Sequence, residues 1–414
     1  MKQLYIGGLV FDGVAAPVEG RGVVVENGRI LRIAPAGEFA GFSGTRIDTA
    51  GHTLMPGMID CHVHLMLSGE PSVLSSFRAV TPQDAVMRGL ELAQATLRGG
   101  VTAVRDLAGR DYLEIAIRDT INAGFQLGPT IHCAGKLICM TGGHGWYMGR
   151  ETDGALDVVT AVRENIKAGA DLIKFIATGG VATPNVDPLL AQLTLEELTA
   201  GVAEARRFGR KSTAHAQGAP GIRNAIDAGV ASIEHGFQLT DELIVDMKAR
   251  GVYLVATLAA LDRTLSRPDA IPAYIAEKGR RFYEMHRDSV IRYHRAGGRL
   301  AMGTDAGTPF NFHGENVQEL KLMVDLGIAA LDALRAATGN AADLIGFTDR
   351  GRIREGFWAD LLLVRGNPAE DIRAASDRAN HRLVLKGGVD VHATLGPPLK
   401  PSAPRFPQMA APAF

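Results

Sequence analysis

With 414 residues and a formal net charge of −1, the chain is too long for one small core and has no excess charge to draw it to nucleic acid or an anionic membrane. Hydrophobic residues make up 46% and charged residues 21%, the balance of a folded globular protein rather than a disordered or fibrous one. Three cysteines, Cys61, Cys133 and Cys139, exclude a disulfide framework and are expected as buried thiols.

The N-terminal stretch Met1-Lys2-Gln3-Leu4-Tyr5-Ile6-Gly7-Gly8 lacks the apolar core of an export signal. No run approaches the ~20 apolar residues of a membrane span. A cytoplasmic protein without membrane contact is expected; an export signal already removed would leave no trace. Residues 1–55 alternate short β-type runs with turns, at 4–10, 22–26, 30–34 and 46–48. Asn27-Gly28 between the second and third is a hairpin signal. The C-terminal part, 348–414, is built alike, with strands expected at 351–353, 361–364 and 383–385 and an irregular Pro- and Ala-rich tail from Gly396. Neither piece is long enough to bury a core well alone. The two are expected to form one small β-sandwich domain, with residues 56–347 inserted between them.

The inserted residues carry a βα rhythm. Helices are expected at 82–98, 113–123, 156–168, 195–208, 222–228, 241–250, 274–296 and 317–326. Apolar strand runs alternate with them at 53–61, 101–105, 130–134, 172–176, 212–214, 232–234, 253–256 and 300–303. Eight such units predict an α/β fold, a (β/α)8 barrel of the TIM type, whose active sites lie at the C-terminal strand ends.

Chemistry-bearing residues gather at those ends. Asp60-Cys61-His62-Val63-His64 closes the first strand, and alternation turns His62 and His64 to one side and Cys61 away from them. Two neighbouring imidazoles can bind one metal ion. Lys174 stands inside the apolar strand Leu172-Ile173-Lys174-Phe175-Ile176, His215 and His235 follow the fifth and sixth strands, and Asp305 follows the eighth. A lysine in an apolar strand is costly unless it is paired with a carboxylate or modified. As a carbamate it would become a carboxylate-like bridge between two metal ions, a pair able to activate water and polarise a carbonyl. His144 sits in the glycine-rich loop Thr141-Gly142-Gly143-His144-Gly145 beside Trp146 and Tyr147. Asp106 reads as a structural carboxylate, His132 as either site-facing or core, and His286, His294 and His313 as structural. No G-x-x-x-x-G-K-[ST] or G-x-S-x-G occurs, so neither a phosphate loop nor a serine nucleophile is supported.

His62, His64, Lys174, His215, His235 and Asp305 in this order resemble the metal-ligand set of the amidohydrolase superfamily. The end pieces resemble that family's composite β-sandwich, in Val23-Val24-Val25-Glu26-Asn27-Gly28-Arg29-Ile30 and in Gly351-Arg352-Ile353-Arg354-Glu355-Gly356-Phe357-Trp358-Ala359-Asp360-Leu361. Gly100-Val101-Thr102-Ala103-Val104-Arg105-Asp106, the His144 loop and Ile173–Gly180 are similar to the prolidase-like and imidazolonepropionase-like branch. That resemblance implies a metal-dependent hydrolase with two divalent ions, zinc being the family's usual metal. His62, His64 and Asp305 would hold the first ion, His215 and His235 the second, and carboxylated Lys174 would bridge them. Asp305 would also move the proton, and His144, with Tyr147 near it, would contact substrate. The implied reaction is release of a C-terminal amino acid from a dipeptide or N-acyl amino acid, with ochratoxin A, cleaved to ochratoxin alpha and phenylalanine, among the candidates. Opening of a cyclic amide is the alternative, and an inactive barrel is disfavoured because all six ligand-type residues are present. A homo-oligomer acting on a small-molecule amide, with no nucleic-acid partner, is the implied setting.

Overall fold

The computed structural model describes residues 2–74, 77 and 80–397. It opens with β1 (Gln3–Ile6), β2 (Leu9–Val10), β3 (Arg21–Glu26), β4 (Arg29–Pro35) and β5 (Thr45–Asp48). Asn27 and Gly28 turn β3 into β4 with φ of 51° and 77°, the left-handed pair that a tight hairpin needs. A four-stranded sheet results, in the order β4-β3-β1-β5. Val23 and Val25 of β3 face one apolar cluster and Val24 faces another with Leu4 and Phe39, as strand alternation requires.

The single strand expected at 53–61 is two, β6 (His52–Pro56) and β7 (Met58–Val63). Gly57 divides them. A Cβ there would lie 2.2 Å from Thr102 Cγ2, so a side chain would block the crossing between two sheets. β7, β8 (Val101–Asp106) and β9 (Thr130–Cys133) are parallel neighbours. β10 (Leu137–Met140) and β11 (Gly149–Thr152) then lie at the edge of a second parallel sheet with β12 (Leu172–Ile176), β13 (Lys211–Ala216), β14 (Ser232–His235), β15 (Tyr253–Val255) and β16 (Leu300–Ala301). Asp171 N donates to Cys133 O at 2.8 Å, tying the start of β12 to the end of β9. At the other margin, Cys61 N donates to Met302 O (2.8 Å), Asp305 N to His62 O (2.7 Å) and His64 N to Ala306 O (2.9 Å), tying β7 to the segment after β16.

Helices alternate with these strands. In Pro82–Arg98 the Thr81 side chain accepts from Asp84 N and proline takes the first turn, both strong start signals. Its buried face, Ala85, Gly89, Ala93, Thr96 and Leu97, repeats at helical spacing. The remaining strands, β17 (Leu361–Arg365), β18 (His381–Lys386) and β19 (Val389–Asp390), return to the start of the chain. β17 pairs antiparallel with β6 in a five-stranded sheet of order β19-β18-β17-β6-β2. Tyr5, Val23 and Leu54 from the beginning thus share an apolar cluster with Leu361, Leu363 and Leu385 from the end.

One expected strand is absent and several elements are additional. Residues 351–353 form no strand: Gly351 turns the chain at φ 78°, and Ile353 N bonds singly to Asp12 O at 3.0 Å. Strands β10 and β11 were not expected, because they are short and lie in glycine-rich sequence. Helices Leu258–Leu265, Ala330–Ala336 and Gly339–Ile345 were not expected either; each is short, and its stability comes from packing rather than from its own caps. The tail beyond Pro397 lies outside the described residues. Among those residues no helix is long and apolar enough to cross a membrane.

Candidate functional site

His62 is on β7 near its end, His64 one residue beyond it, Lys174 at the middle of β12, His235 at the last position of β14, and Asp305 in the segment after β16. His215 lies within β13 rather than after it, since that strand runs to Ala216. All six line one cavity, together with His144 and Tyr147. His235 and Asp305 hold left-handed φ values of 73° and 60°. Non-glycine residues adopt this conformation at a cost of order 1 kcal/mol, and such strain collects at functional sites.

The geometry is tight. His62 Nε2 and His64 Nε2 lie 3.4 and 3.2 Å from Asp305 Oδ1. His62, His235 and Asp305 each offer one ligand atom, all within 4.8 Å of one another. The His215 and His235 rings are 4.5 Å apart. Each imidazole is anchored through its other nitrogen: His62 Nδ1 to Glu234 Oε2 (2.9 Å), His64 Nδ1 to Ala108 O (3.3 Å), His235 Nδ1 to Thr257 Oγ1 (2.7 Å) and His215 Nε2 to Gly179 O (2.9 Å). Such anchoring orients a ring toward a metal and fixes its tautomer. A carbonyl only accepts, so His64 Nδ1 and His215 Nε2 carry their protons and the opposite nitrogens are left to bind. Burial holds His62, His215 and His235 well below the ordinary histidine value, and neutral imidazole is the form a metal takes. Burial pushes the Asp305 carboxyl up, but His62, His64 and Lys174 around it outweigh that and hold it at about 2.

Lys174 is the anomaly. Its Nζ is buried and has no hydrogen-bond partner. Burial lowers it from 10.5 to about 8, with Glu234 opposing. An unpaired ammonium among imidazoles is costly. As a carbamate the same side chain would complete the anionic donor set that divalent ions require, so these residues fit a metal centre.

Several site residues were not anticipated. Glu234 on β14 accepts from Arg105 Nη2 (2.7 Å), Ser232 Oγ (2.7 Å) and Thr213 as well as meeting His62. It orients His62 and is neutralised by Arg105 beneath the cavity. A charged residue inside a short, fully buried strand is a signal akin to the one that exposed Lys174. Thr257, Gln217 and Phe237 also line the cavity. Asp106 accepts from Leu65 N (2.7 Å) and Ala108 N (3.2 Å), a backbone-holding role. His132 packs on Phe347, outside the cavity lining, while His286 bonds to Ala256 O and His313 to His64 O. His294 lies 3.8 Å from Asp332.

The His144 loop closes one wall. His144 Nδ1 meets Thr183 Oγ1 at 2.8 Å, and its ring stacks 4.4 Å from His215. Gly180 lies against the ring, where a Cβ would come within 2.4 Å of it. Tyr147 lines the cavity, but Trp146 does not; it borders a separate depression with Arg110 and Lys136. The segment that carries Gly180 and Thr183 is itself strapped from outside. Lys278 Nζ donates to Thr183 O (2.7 Å), Val186 O (2.6 Å) and Gly180 O (3.4 Å), and Tyr274 Oη to Ala182 O (3.1 Å). Lys278→Met would strand three carbonyls, a loss of about 1–3 kcal/mol confined to this segment. Faster amide exchange over 179–187 and a several-fold higher KM are expected, with metal content unchanged. Unchanged exchange would show that the strap is idle.

The amidohydrolase family profile matches residues 53–391. An ochratoxinase of Aspergillus niger is 32% identical over 367 residues, covering 81% of this chain and 75% of that protein. An imidazolonepropionase of Methylobacterium nodulans is 26% identical over 402 residues, covering 86% and 88%. Among solved structures, a Xaa-Pro dipeptidase with bound methionine in the active site superposes with a TM-score of 0.88 at 32% identity, covering 94% of this chain and 99% of that one.

Proposed function

The chain belongs to the amidohydrolase family, TIM-barrel-type hydrolases acting on amide bonds, and on that premise we propose that it is a metal-dependent enzyme releasing a C-terminal amino acid from a dipeptide or N-acyl amino acid. Ochratoxin A, which is such an amide, is a candidate substrate. The observation that carries the reading is the unpartnered, buried Lys174 Nζ in a cavity with four anchored imidazoles and Asp305. The similarity to an ochratoxinase and to a dipeptidase holding methionine supports the same class. We also read residues 56–347 as a closed (β/α)8 barrel and 1–55 with 348–414 as one β-sandwich domain.

His62, His64 and Asp305 would hold one divalent ion, His215 and His235 a second, and carboxylated Lys174 would join them; zinc suits nitrogen and oxygen donors. The carbamate forms when the neutral Lys174 amine adds to CO2 and releases one proton, which its lowered pKa favours. When bound, the ions supply carbonyl polarisation and water activation. Asp305 takes the proton of the attacking water and delivers it to the leaving nitrogen. Thr183 Oγ1 accepts from Gly145 N at 3.1 Å, which leaves its own proton for His144 Nδ1. With that proton given to Nδ1, His144 would carry its own on Nε2 as the donor to substrate in the cavity it lines, beside Tyr147, whose hydroxyl has no partner among the described residues. Burial lowers His144 to about 3, so a neutral N–H donor, not a cation, receives the substrate carboxylate.

The test compares 3-phenylpropionyl-L-phenylalanine with its carboxamide on wild type and His144→Ala. At least tenfold preference for the acid is expected in wild type, on the order of one charge-assisted hydrogen bond. His144→Ala should lose most of it through KM, since a contact made equally in ground and transition states changes binding alone. Equal efficiency on both compounds would refute carboxylate recognition, and turnover of cyclic amides alone would establish the ring-opening function instead.

A further inference from the structure

Two separate apolar clusters contribute to the cavity wall. Leu67, Leu137 and Met148, from segments after β7 and around β10, belong to one. Val181, Phe237 and Leu261, from segments after β12, β14 and β15, belong to the other. Both therefore offer apolar surface to a substrate whose reacting bond lies at His62 and Asp305.

The charges around this wall are as informative. Every aspartate and glutamate of the chain lies among the described residues, and the cavity lining contains one of them, Asp305. Glu70 is exposed in a neighbouring depression that shares Leu67 and Val73 but lies outside this lining, and three further carboxylates near the wall are committed elsewhere. Asp187 accepts from Leu189 N at 2.8 Å and lies 3.6 Å from Arg281. Asp262, next to Leu261, is reached by Tyr283 Oη, and both Glu319 oxygens accept from Leu258 N and Ala259 N at 2.8 Å. A free dipeptide carries an α-ammonium one carbon from the scissile carbonyl. Inside this cavity that charge loses its water and meets no uncommitted carboxylate, a costly burial. An acyl group with hydrogen in place of the ammonium incurs no such cost and gains apolar contact.

We infer that the enzyme takes amides with apolar groups on both sides of the scissile C–N bond and no α-ammonium on the acyl side: N-acyl amino acids in preference to free dipeptides. The inference rests on the hydrolase reading above and narrows it. 3-Phenylpropionyl-L-phenylalanine and L-phenylalanyl-L-phenylalanine differ only in that ammonium, and they form the test on metal-loaded enzyme at neutral pH. The acyl compound is expected to show at least tenfold higher kcat/KM, expressed mainly in KM. Equal or better turnover of the dipeptide would overturn the inference, because the amine would then have found a ligand of its own. If neither compound is hydrolysed, the hydrolase reading fails, and calorimetric Kd values for the same pair still decide: tenfold tighter acyl binding upholds the selectivity and equal Kd values overturn it. Ala260 lines the same wall outside the metal-type residues. Ala260→Asp supplies the missing counter-charge and should shrink the gap at least fivefold, and a gap left unchanged would count against the inference.

Discussion

Wild type is expected to purify with about two metal ions per chain, and Lys174→Ala with little metal and less than about a thousandth of the wild-type turnover. The expectation follows from position. Lys174 is 2% exposed on a strand with apolar neighbours Ile173 and Phe175, and its Nζ reaches no acceptor. If it were a structural lysine, its removal would leave a small void and a modest stability change with chemistry intact. If it is the bridge, alanine removes an anionic ligand shared by both ions, and millimolar short carboxylic acids should enter the void and restore part of the metal and turnover. A second variant separates the readings further. Lys174→Met keeps the volume and deletes an unpartnered charge, so the metal-free protein should melt no lower than metal-free wild type while remaining inactive. Near-normal turnover by either variant, or full turnover of wild type after exhaustive chelation, would dismiss the bridging role.

Asp305→Asn should keep the fold and lose about three orders of magnitude in turnover, the range ascribed to positioned proton transfer. Asparagine matches aspartate in shape, and the backbone bond from residue 305 to His62 O is indifferent to the change. Its amide cannot accept the proton of an attacking water. His62 and His64 also lose the anion that Oδ1 presents to them at 3.4 and 3.2 Å. Metal content, measured beside turnover, divides the two effects. Loss of turnover with metal retained assigns the proton to Asp305, whereas parallel loss of both reduces it to a ligand. Retention of more than a tenth of wild-type turnover would mean that another group moves the proton.

Local pattern carried much of this protein. Helices Pro82–Arg98 and Asp241–Arg250 and strand Leu172–Ile176 lie where their periodicity places them, because caps and apolar spacing act within one element. Asn27-Gly28 turned where a left-handed pair is needed. The six ligand-type residues stood out because two histidines share a strand face and a lysine interrupts an apolar run. Tertiary structure decided what depends on partners distant in sequence. Glu234 acquires its role from Arg105, 129 residues earlier, and from His62, 172 residues earlier. Thr183 matters through His144, and Lys278 through carbonyls of a segment more than 90 residues away. The division of residues 52–63 at Gly57 depends on Thr102 pressing from the next strand, and the turn at Gly351 leaves residues 351–353 without a strand partner. An element's own spacing encodes which face it buries, but the atom that meets that face is set only when the chain closes long loops around a shared core.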